Sequence, residues 1–336
     1  MQKMERFKTL SFNELCLSIC ENKKTLIMFH VRADADAVGS AFALRELLRM
    51  MDIQAYCVCS DELPERLAFL TDGTQGSVLL DDDMRLDYER IISVDSASPV
   101  QLGNLFNRLH RDIDIMIDHH ASGTPYAANY IEPNASATGE IIYKIAKKLV
   151  KMGKIDAIPP RVINCVYAAI SGDTGGFKFS NATAATYRLG AELIKLGAEH
   201  AEINRLLFNS KSMTQILVEG EAARRIKSCA DGKVAWISIP YELRAELGAE
   251  DEHLETVIEV ARSLNGVEVA FAVRENADKA SCRVSMRSST AFDVSYVCAR
   301  FGGGGHKRAA GCTVVASSVE EAEKKVLSEI ARLWNK

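Results

Sequence analysis

The sequence lacks the features of a membrane-inserted or exported protein. None of its apolar runs approaches the roughly 20 residues that a helix needs to cross a bilayer. Residues 1–24 carry charges throughout their first half and contain one short apolar stretch, LCLSIC, so they lack the apolar core of a signal peptide and predict a short amphipathic helix. We therefore expect a cytoplasmic protein that does not contact the membrane.

Paired cysteines and a basic charge excess are missing as well. The nine cysteines are an odd number with no CxxC pair, which favours free thiols in a reducing compartment. A net charge of -4 argues against a protein that binds long duplexes or long single strands, because such proteins usually carry a basic surface. Small anionic substrates remain compatible, since a bound metal can outweigh the overall charge.

The length and composition fit a two-domain globular protein. At 336 residues, the chain has room for about two domains of roughly 150 residues each. The pattern of elements predicts an N-terminal catalytic domain over 1–205, a helical linker over 206–230 and a smaller α/β domain over 231–336.

The fold class is α/β, because short β-rich runs alternate with helical patterns in the first half. These runs are TLIMF, QAYCVC, RIISV and IDIMI, and their continuous apolar character indicates a parallel sheet that is covered on both faces. A series of helical segments follows from residue 138. The last third again mixes strands such as KVAWISI and VEVAFAVRE with helices.

Three of the predicted strands end in residues that can bind metal. His30, Asp34 and Asp36 follow the first strand, Asp95 follows RIISV, and the triplet at 118–120 follows IDIMI. A single such cluster is more often a turn or a helix cap. Three coincident strand ends favour a site, because ligands of open α/β sheets bind at the carboxyl ends of the strands.

A further carboxylate, Asp173, lies in the segment SGDTGG, which predicts delivery from a flexible loop. Imidazole and carboxylate donors without thiolates suit Mn²⁺, Mg²⁺ or Co²⁺ better than structural zinc. The number of aspartates is sufficient for two ions, which together could activate a water and hydrolyse phosphate esters without a protein nucleophile.

The last third of the chain contains a glycine run that ends in basic residues, FGGGGHKR. The backbone amides of Gly303, Gly304 and Gly305 could approach an anion closely, with His306 beside them, and this predicts a phosphate cradle in preference to a plain flexible loop. Arg287 follows a predicted strand and is a candidate second phosphate contact, because a guanidinium binds phosphate in a bidentate manner.

Together these motifs resemble the DHH phosphoesterase family, which is named for the triplet seen here as Asp118-His119-His120, with the DHH-associated domain and its GGGGH motif at the C-terminal side. The resemblance covers nearly the whole chain. It is greatest to the group of short-RNA nucleases and phosphatases that degrade very short oligoribonucleotides and 3'-phosphoadenosine 5'-phosphate (pAp). One difference is Ala35, at a place where the family commonly has glycine.

The resemblance implies a role for each residue. Its implied metal ligands, with Mn²⁺ as the expected ion, are His30 and Asp34 for one ion, Asp36, His119 and Asp173 for the other, and Asp95 as the bridge between them. Asp118 would orient its neighbours, His120 would face the scissile phosphate, and Arg287 with His306 would bind the substrate from across a cleft between the domains. The expected partner is short RNA or a small nucleotide, and a homodimer is left open.

Several other functions remain open at this stage. A phosphodiesterase of cyclic dinucleotides or linear pApA would use the same two domains. A manganese-dependent pyrophosphatase is less favoured, because GGGGH stands where a lysine-rich and arginine-rich motif would be expected. A single-strand DNA exonuclease of the family would carry additional nucleic-acid-binding domains, for which 336 residues leave no room. A nucleotide sensor without turnover is the alternative from another class, and the presence of every expected metal ligand speaks against it.

Overall fold

The computed structural model describes residues 7–71, 87–109, 111–121 and 123–334, with the side chain of His306 outside the described part. The chain divides into two compact units, residues 1–210 and 211–336. The helices on either side of this boundary, His200–Phe208 and Met213–Arg224, belong to different units. The three-part division predicted from the sequence stays a prediction.

The first unit is built on a five-stranded, entirely parallel sheet with the strand order β2-β1-β3-β4-β5. Its strands are β1 (Thr25–Met28), β2 (Ala55–Val58), β3 (Arg90–Val94), β4 (Ile115–Asp118) and β5 (Ala128–Ile131). The first four correspond to the apolar runs predicted from the sequence. The fifth was missed, because it is half-buried and lacks a continuous apolar run.

Helices cover both faces of this sheet. The larger core lies on the face covered by α1, α2, α4 and α5, and a smaller core that includes Leu102 and Leu105 lies on the face covered by α3. The helices of this unit are α1 (Phe12–Ile19), α2 (Ala35–Met50), α3 (Asn104–Arg108), α4 (Thr138–Lys151), α5 (Pro160–Asp173), α6 (Ala184–Lys195) and α7 (His200–Phe208).

The second unit contains a six-stranded mixed sheet with the order β10-β11-β9-β8-β7-β6, in which only β7 and β8 run parallel. Its strands are β6 (Lys227–Cys229), β7 (Val234–Ile239), β8 (Val269–Glu275), β9 (Ser281–Ser288), β10 (Gly304–His306) and β11 (Ala309–Val315). One face packs on two helices and the other on three, which are α8 (Met213–Arg224), α9 (Tyr241–Leu247), α10 (Val257–Arg262), α11 (Val294–Ala299) and α12 (Val319–Trp334).

The α/β class and the two-sheet architecture are therefore confirmed. Among the described residues, no helix combines the length and apolar character required to cross a bilayer. None of the nine cysteines forms a disulfide.

Candidate metal centre

The side chains predicted to bind metal lie together in the first unit. The carboxyl ends of β1, β3 and β4 deliver three of them, and the helices α2 and α5 deliver the others. Because the strands are parallel and adjacent, their carboxyl ends meet at one edge of the sheet. Donor atoms within 4.8 Å of one another form three groups, which are His30, Asp34 and Asp95; Asp36, His119 and Asp173; and Asp95, His119 and His120.

Asp95 lies between the first two groups. Its Oδ2 is 3.6 Å from Nε2 of His30, and its Oδ1 is 3.7 Å from Nε2 of His119. The residue is 2% exposed and adopts a left-handed backbone with φ of 53°, which aspartate tolerates better than most residues. Its amide donates to the carbonyl of Ile117 at 3.0 Å, which fixes this conformation. One carboxylate thus faces both donor groups, as a bridging ligand would.

Both imidazoles at the centre of these groups have one ring nitrogen engaged by the backbone. Nδ1 of His30 is 2.9 Å from the carbonyl of Val31, and Nδ1 of His119 is 3.2 Å from the carbonyl of Ala135. A carbonyl only accepts, so Nδ1 carries a proton, and in the neutral ring the lone pair is on Nε2. This arrangement is typical of histidines that bind metal, because it fixes the ring and its tautomer.

The distances between donor atoms also fit metal ligands. Nε2 of His119 is 3.8 Å from Asp36 Oδ2 and 3.7 Å from Asp173 Oδ2, too far for hydrogen bonds. Two ligands on one ion, with bonds of about 2.1 Å, lie about 3 to 3.5 Å apart, so an ion would draw these donors together by a few tenths of an ångström. The residues present therefore fit divalent cations.

The first turn of α2 holds two of the carboxylates. Asp34 is the N-cap, and its Oδ1 accepts from the amides of Asp36 and Ala37, both at 3.0 Å. Asp36 is 1% exposed, and the hydroxyl of Ser40 donates to it at 2.8 Å. Both aspartates lie here because the sequence starts a helix at this point. Aspartate at the N-cap and in the first turn accepts from amides that lack partners within the helix.

The N-terminus of α4 supports the centre, and sequence reasoning missed it. The amides of Thr138 and Gly139 donate to Asp36 at 2.7 and 2.9 Å, and the hydroxyl of Thr138 donates to Asp95 Oδ1 at 3.0 Å. The sequence did predict helical segments from residue 138 onward, which places a helix start there. Nothing in that pattern, however, indicates which carboxylate such a helix start faces.

Asp118 and His120 form a second layer beside Asp95. Asp118 is fully buried, and its Oδ1 accepts from the amide of His119 at 2.9 Å and lies 2.8 Å from Nδ1 of His120. His120 Nδ1 is 3.8 Å from Asp95 Oδ1, but the shorter contact with Asp118 engages this nitrogen. Burial lowers the pKa of His120, yet the hydrogen bond and charge of Asp118 outweigh burial and raise the pKa to about 9.

The carboxylates of the centre repel one another in the absence of a cation. Burial, followed by the charges of Asp95 and Asp173, raises the pKa of Asp36 well above its usual range. Burial and the nearby charge of Asp34 raise the pKa of Asp173 to about 7. A divalent cation between these groups would relieve the repulsion, which is a second sign that the site fits metal.

The prediction that a flexible loop delivers Asp173 is wrong, because Asp173 is the last residue of α5. The helix approaches α2 so closely that a Cβ on Gly172 would lie 2.6 Å from Cβ of Ala35. After the helix, the side-chain amide of Asn181 donates to the carbonyl of Asp173 at 3.1 Å and to its Oδ2 at 3.4 Å. A helix end and an amide anchor therefore position this carboxylate.

Ala35, where the family commonly has glycine, causes no strain. It is the first residue of α2 and is absent from the described residues with positive φ. Positive φ occurs three residues earlier, at Arg32, whose φ is 54° and whose amide donates to Asp61 at 2.8 Å. The left-handed residue of this turn is therefore Arg32. Ala35 does not adopt the positive φ that would favour glycine.

In the second unit, the glycine run is partly a strand, and the phosphate cradle predicted for Gly303, Gly304, Gly305 and His306 stays a prediction. Gly304, Gly305 and His306 form β10, which pairs with β11 in the order Gly304–Gly311, Gly305–Ala310 and His306–Ala309. A Cβ on Gly305 would lie 2.6 Å from the carbonyl oxygen of Ala309, so close backbone approach requires glycine there. As the outermost strand of its sheet, β10 keeps one edge without a strand partner among the described residues.

Arg287 lies in the same register row as the end of this strand. Ala309 pairs with Arg287 on one side and with His306 on the other, which places the two backbones about 10 Å apart across two strand spacings. Burial lowers the pKa of Arg287, and the negative charge of Glu259 opposes burial by raising this pKa. The side chain of His306 lies outside the described residues, and the predicted substrate contacts and the inter-domain cleft stay predictions.

Two family profiles match separate parts of the chain. The profile of the DHH family, N-terminal domain, matches residues 24–170, and that of the DHHA1 domain matches residues 232–332. The chain therefore contains a DHH domain and a DHHA1 domain. Phosphoesterases with a DHH domain depend on metal, in agreement with the donor groups of the first unit.

Two relatives match this chain over most of its length and of their own. A protein of Thermus thermophilus named bifunctional oligoribonuclease and PAP phosphatase NrnA is 26% identical over 90% of this chain and 88% of its own. The protein of the same name from Bacillus subtilis is 25% identical over 95% of this chain and 97% of its own. These relatives support the assignment of the chain as a hydrolase.

A longer relative and a solved structure are also similar to this chain. The cyclic-di-AMP phosphodiesterase PdeA of Listeria monocytogenes is 24% identical over 94% of this chain, which spans 48% of that protein. The crystal structure of an exopolyphosphatase-related protein from Bacteroides fragilis superposes with a TM-score of 0.86 at 22% identity, covering 97% of this chain and 98% of the other. This likeness shows that the fold is shared.

Proposed function

We propose that this DHH protein is a metal-dependent phosphoesterase that hydrolyses short oligoribonucleotides, pAp, or both, with two Mn²⁺ ions as its cofactors. The observation that carries the proposal is the pair of donor groups around Asp95, one with His30 and the other with His119. The similarity to two proteins named oligoribonuclease and PAP phosphatase supports the substrate class.

In this proposal His30 and Asp34 would hold one ion, Asp36, His119 and Asp173 would hold the other, and Asp95 would contact both. Such a pair of ions supplies a water that is deprotonated near neutral pH and positive charge for the phosphoryl oxygens. Mg²⁺ and Co²⁺ suit the same donors. The protein's own task is to hold these side chains in place, which the backbone contacts of the two histidines and the helix start at Thr138 do.

His120 is proposed to face the scissile phosphate. Its raised pKa, about 9, keeps the ring protonated near neutral pH before an ion binds, and Asp118 anchors it through Nδ1. A protonated imidazole can donate to a phosphoryl oxygen or give a proton to the leaving oxygen. We assign the terminal phosphate or nucleotide to Arg287, His306 and the glycines at 303–305, because an arginine and backbone amides are suited to phosphate.

The direct test is incubation of the purified protein with Mn²⁺ and a panel of pAp, RNA of two nucleotides and RNA of twenty nucleotides. We expect release of phosphate or nucleotide from the two shorter substrates and little from the longest. Asp95→Ala should abolish turnover, because it removes the ligand shared by both donor groups. Asp112→Ala, at an exposed position before β4, is the matched control and should keep full activity.

The same panel separates the alternatives. Faster hydrolysis of cyclic di-AMP or linear pApA would assign the protein to cyclic-dinucleotide turnover, which the similarity to PdeA over one half of that protein favours as the second candidate. Tight nucleotide binding without turnover in the presence of Mn²⁺ would contradict the enzyme proposal and support a sensor. Cytoplasmic location remains part of the proposal, in line with nine cysteines that form no disulfide.

A further inference from the structure

A cavity of about 300 Å³ lies in the first unit, at the carboxyl edge of its parallel sheet. Its described lining contains none of the residues assigned above to metal or substrate, and it comes from the three segments that follow β1, β2 and β3. Strand β1 pairs with β2 on one side and with β3 on the other, so the order of the strands reverses at β1. Open α/β sheets bind their ligands outside the carboxyl ends of the strands at such a point.

One wall of the cavity is apolar. Val31 follows β1, the buried Cys59 follows β2, and the buried Leu105 lies in α3. An apolar wall suits a flat ring system, and a volume of about 300 Å³ is at the lower end of the range of small-molecule sites. The cavity therefore has the size and the lining for a single heterocyclic base.

Three polar side chains also line the cavity, which are those of Asp61, Asn104 and Arg108. Oδ2 of Asp61 accepts from the amide of Arg32 at 2.8 Å, which fixes the carboxylate. A carboxylate has about four acceptor positions, so this one can accept from a ligand as well, and the side-chain amide of Asn104 can both donate and accept. Small-molecule sites typically combine an apolar lining with a few fixed polar groups of this kind.

The segments around the cavity are fastened to one another. The hydroxyl of Ser60 donates to the carbonyl of Leu102 at 2.8 Å and accepts from the amide of Leu105 at 3.1 Å. Gly103 has a φ of 66°, and a Cβ there would lie 2.5 Å from Cγ1 of Val31, so glycine is required for this close approach. The shape of the cavity is therefore set by the fold.

We propose that this cavity is a nucleobase subsite that prefers guanine to adenine, an inference that rests on the proposed function for the class of substrate. The Watson–Crick edge of guanine carries two adjacent N–H donors, which one carboxylate can accept together. Adenine has a single donor there beside a lone pair, which would face a negative oxygen. The carboxylate of Asp61 thus selects guanine, and the amide of Asn104 donates to the exocyclic oxygen of the same base.

The cavity adjoins the candidate metal centre. Val31, in its wall, directly follows His30, and consecutive Cα atoms are only about 3.8 Å apart. The thiol of Cys59, in the same wall, donates to the carbonyl of His30 at 3.3 Å. A nucleotide whose phosphate lies at the metal centre therefore has its base within reach of the cavity. The phosphate itself is unsuited to the cavity, because the carboxylate of Asp61 repels it.

The first experiment measures binding without turnover. The nucleotides 5'-GMP and 5'-AMP are titrated separately into the metal-free protein and followed by saturation-transfer difference NMR. A good bidentate contact discriminates between bases by about 5- to 150-fold, so we expect GMP to bind at least about fivefold more tightly than AMP. The phosphate is common to both nucleotides, so its contribution cancels in the ratio of the two dissociation constants.

Replacement of Asp61 with asparagine tests the carboxylate. The carbonyl oxygen of the new side chain can still accept from the amide of Arg32, which leaves an NH₂ group in place of the second acceptor oxygen. In Asp61→Asn, the preference for GMP should therefore disappear, whereas a general loss of stability would weaken both nucleotides equally. Glu62→Gln is the matched control and should keep the preference, because Glu62 is exposed and lies outside the cavity lining. Asn104→Ala, at an exposed position, should weaken GMP binding at least about twofold.

Equal binding of GMP and AMP by the wild type overturns the proposal, and so does an unchanged preference in Asp61→Asn. If Asp61→Asn does not fold, Asn104→Ala decides, and an unchanged affinity for GMP in that variant overturns the proposal as well.

A second experiment connects the cavity to the reaction. With Mn²⁺ present, kcat/KM for 5'-phosphorylated GpG should exceed that for 5'-phosphorylated ApA at least about fivefold. Equal values, despite selective binding of GMP, would overturn the assignment of the cavity to the substrate. Failure to hydrolyse either dinucleotide contradicts the proposed function instead and leaves the binding result unaffected.

Discussion

Replacement of Thr138 with valine removes a single hydroxyl from the metal centre and nearly preserves the shape of the side chain. That hydroxyl donates to Oδ1 of Asp95 at 3.0 Å, and both residues are buried. A hydrogen bond to a charged group contributes about 1.5 to 3 kcal/mol. Loss of a partner that supports a metal ligand typically weakens metal affinity about 10- to 100-fold, which corresponds to about 1.4 to 2.7 kcal/mol.

The two magnitudes agree, so we expect the dissociation constant for Mn²⁺ to rise about 10- to 100-fold in Thr138→Val. Electron paramagnetic resonance of free Mn²⁺ at equilibrium measures this directly, without any assumption about substrate. Thr138→Ser keeps the hydroxyl and should bind nearly as wild type. Thr186→Val is the matched control, because Thr186 is also buried but its hydroxyl bonds to Thr183, outside the metal centre.

The reasoning is refuted if Thr138→Val is folded, as judged by circular dichroism and thermal unfolding, and still binds Mn²⁺ like the wild type. It is equally refuted if Thr186→Val weakens binding by the same factor, since the effect would then be a general loss of stability. The backbone amide of Thr138, which donates to Asp36, is retained in all variants, so the measurement isolates the hydroxyl.

Three further predictions follow from the same region and from its metal-free electrostatics. Asn181→Ala removes the amide that anchors Asp173 and should lower kcat/KM for the active substrate about 10-fold, as steady-state kinetics will show; an unchanged value would mean that the helix end alone positions the carboxylate. Because the pKa of Asp173 is raised to about 7 from an unfolded value near 3.9, its carboxyl binds its proton more tightly in the folded metal-free protein, and this contribution to stability is lost as pH rises from about 4 to 7. The rise in Tm that Mn²⁺ causes in scanning fluorimetry should therefore grow over that pH range, and a constant rise would contradict the assignment. Gly139→Ala would place a Cβ 2.5 Å from Cβ of Ala169 and should destabilise the protein by about 1 to 3 kcal/mol in urea unfolding, whereas Gly220→Ala, with nothing within 4 Å, should stabilise it by about 0.5 to 1 kcal/mol.

Local patterns were sufficient to predict most of the fold. The runs at β1 to β4 are continuously apolar because both faces of the parallel sheet are covered, and the helices from 138 onward carry the helical period. Strand β5 was missed because its edge position leaves it half-buried, so the apolar signal is weak. No strand was predicted within the glycine run because glycine has low strand propensity, and the pairing with β11 makes Gly304–His306 a strand.

The candidate site was predictable where a strand end delivers a side chain and unpredictable where a tertiary contact does. His30, Asp95 and His119 follow apolar runs directly, and the rule for open sheets places such residues together. Thr138 acts through a contact with Asp95, which is distant in sequence. Asn181 acts through a contact with Asp173 that depends on a turn after α5. No local pattern reports which carboxylate a helix start or a side-chain amide will meet.

The position of the carboxylates depends on glycines that have no chemical role. A Cβ on Gly39 would lie 2.5 Å from the carbonyl of Cys165, and one on Gly139 would lie 2.5 Å from Cβ of Ala169. Cys165 and Ala169 are on α5, while Gly39 is on α2 and Gly139 on α4, so these helices pack at a distance that side chains would prevent. The starts of α2 and α4 thereby meet the end of α5.

This close packing explains how helices from three parts of the chain contribute to one centre. Asp36 lies one turn before Gly39, Thr138 lies directly before Gly139, and Asp173 lies one residue after Gly172, which itself contacts Ala35. Enlarging any of these glycines should displace a helix as a whole and with it a carboxylate or its donor, so metal affinity and stability should fall together. A loss of stability with unchanged Mn²⁺ affinity in Gly139→Ala would show that the centre can be assembled without this contact.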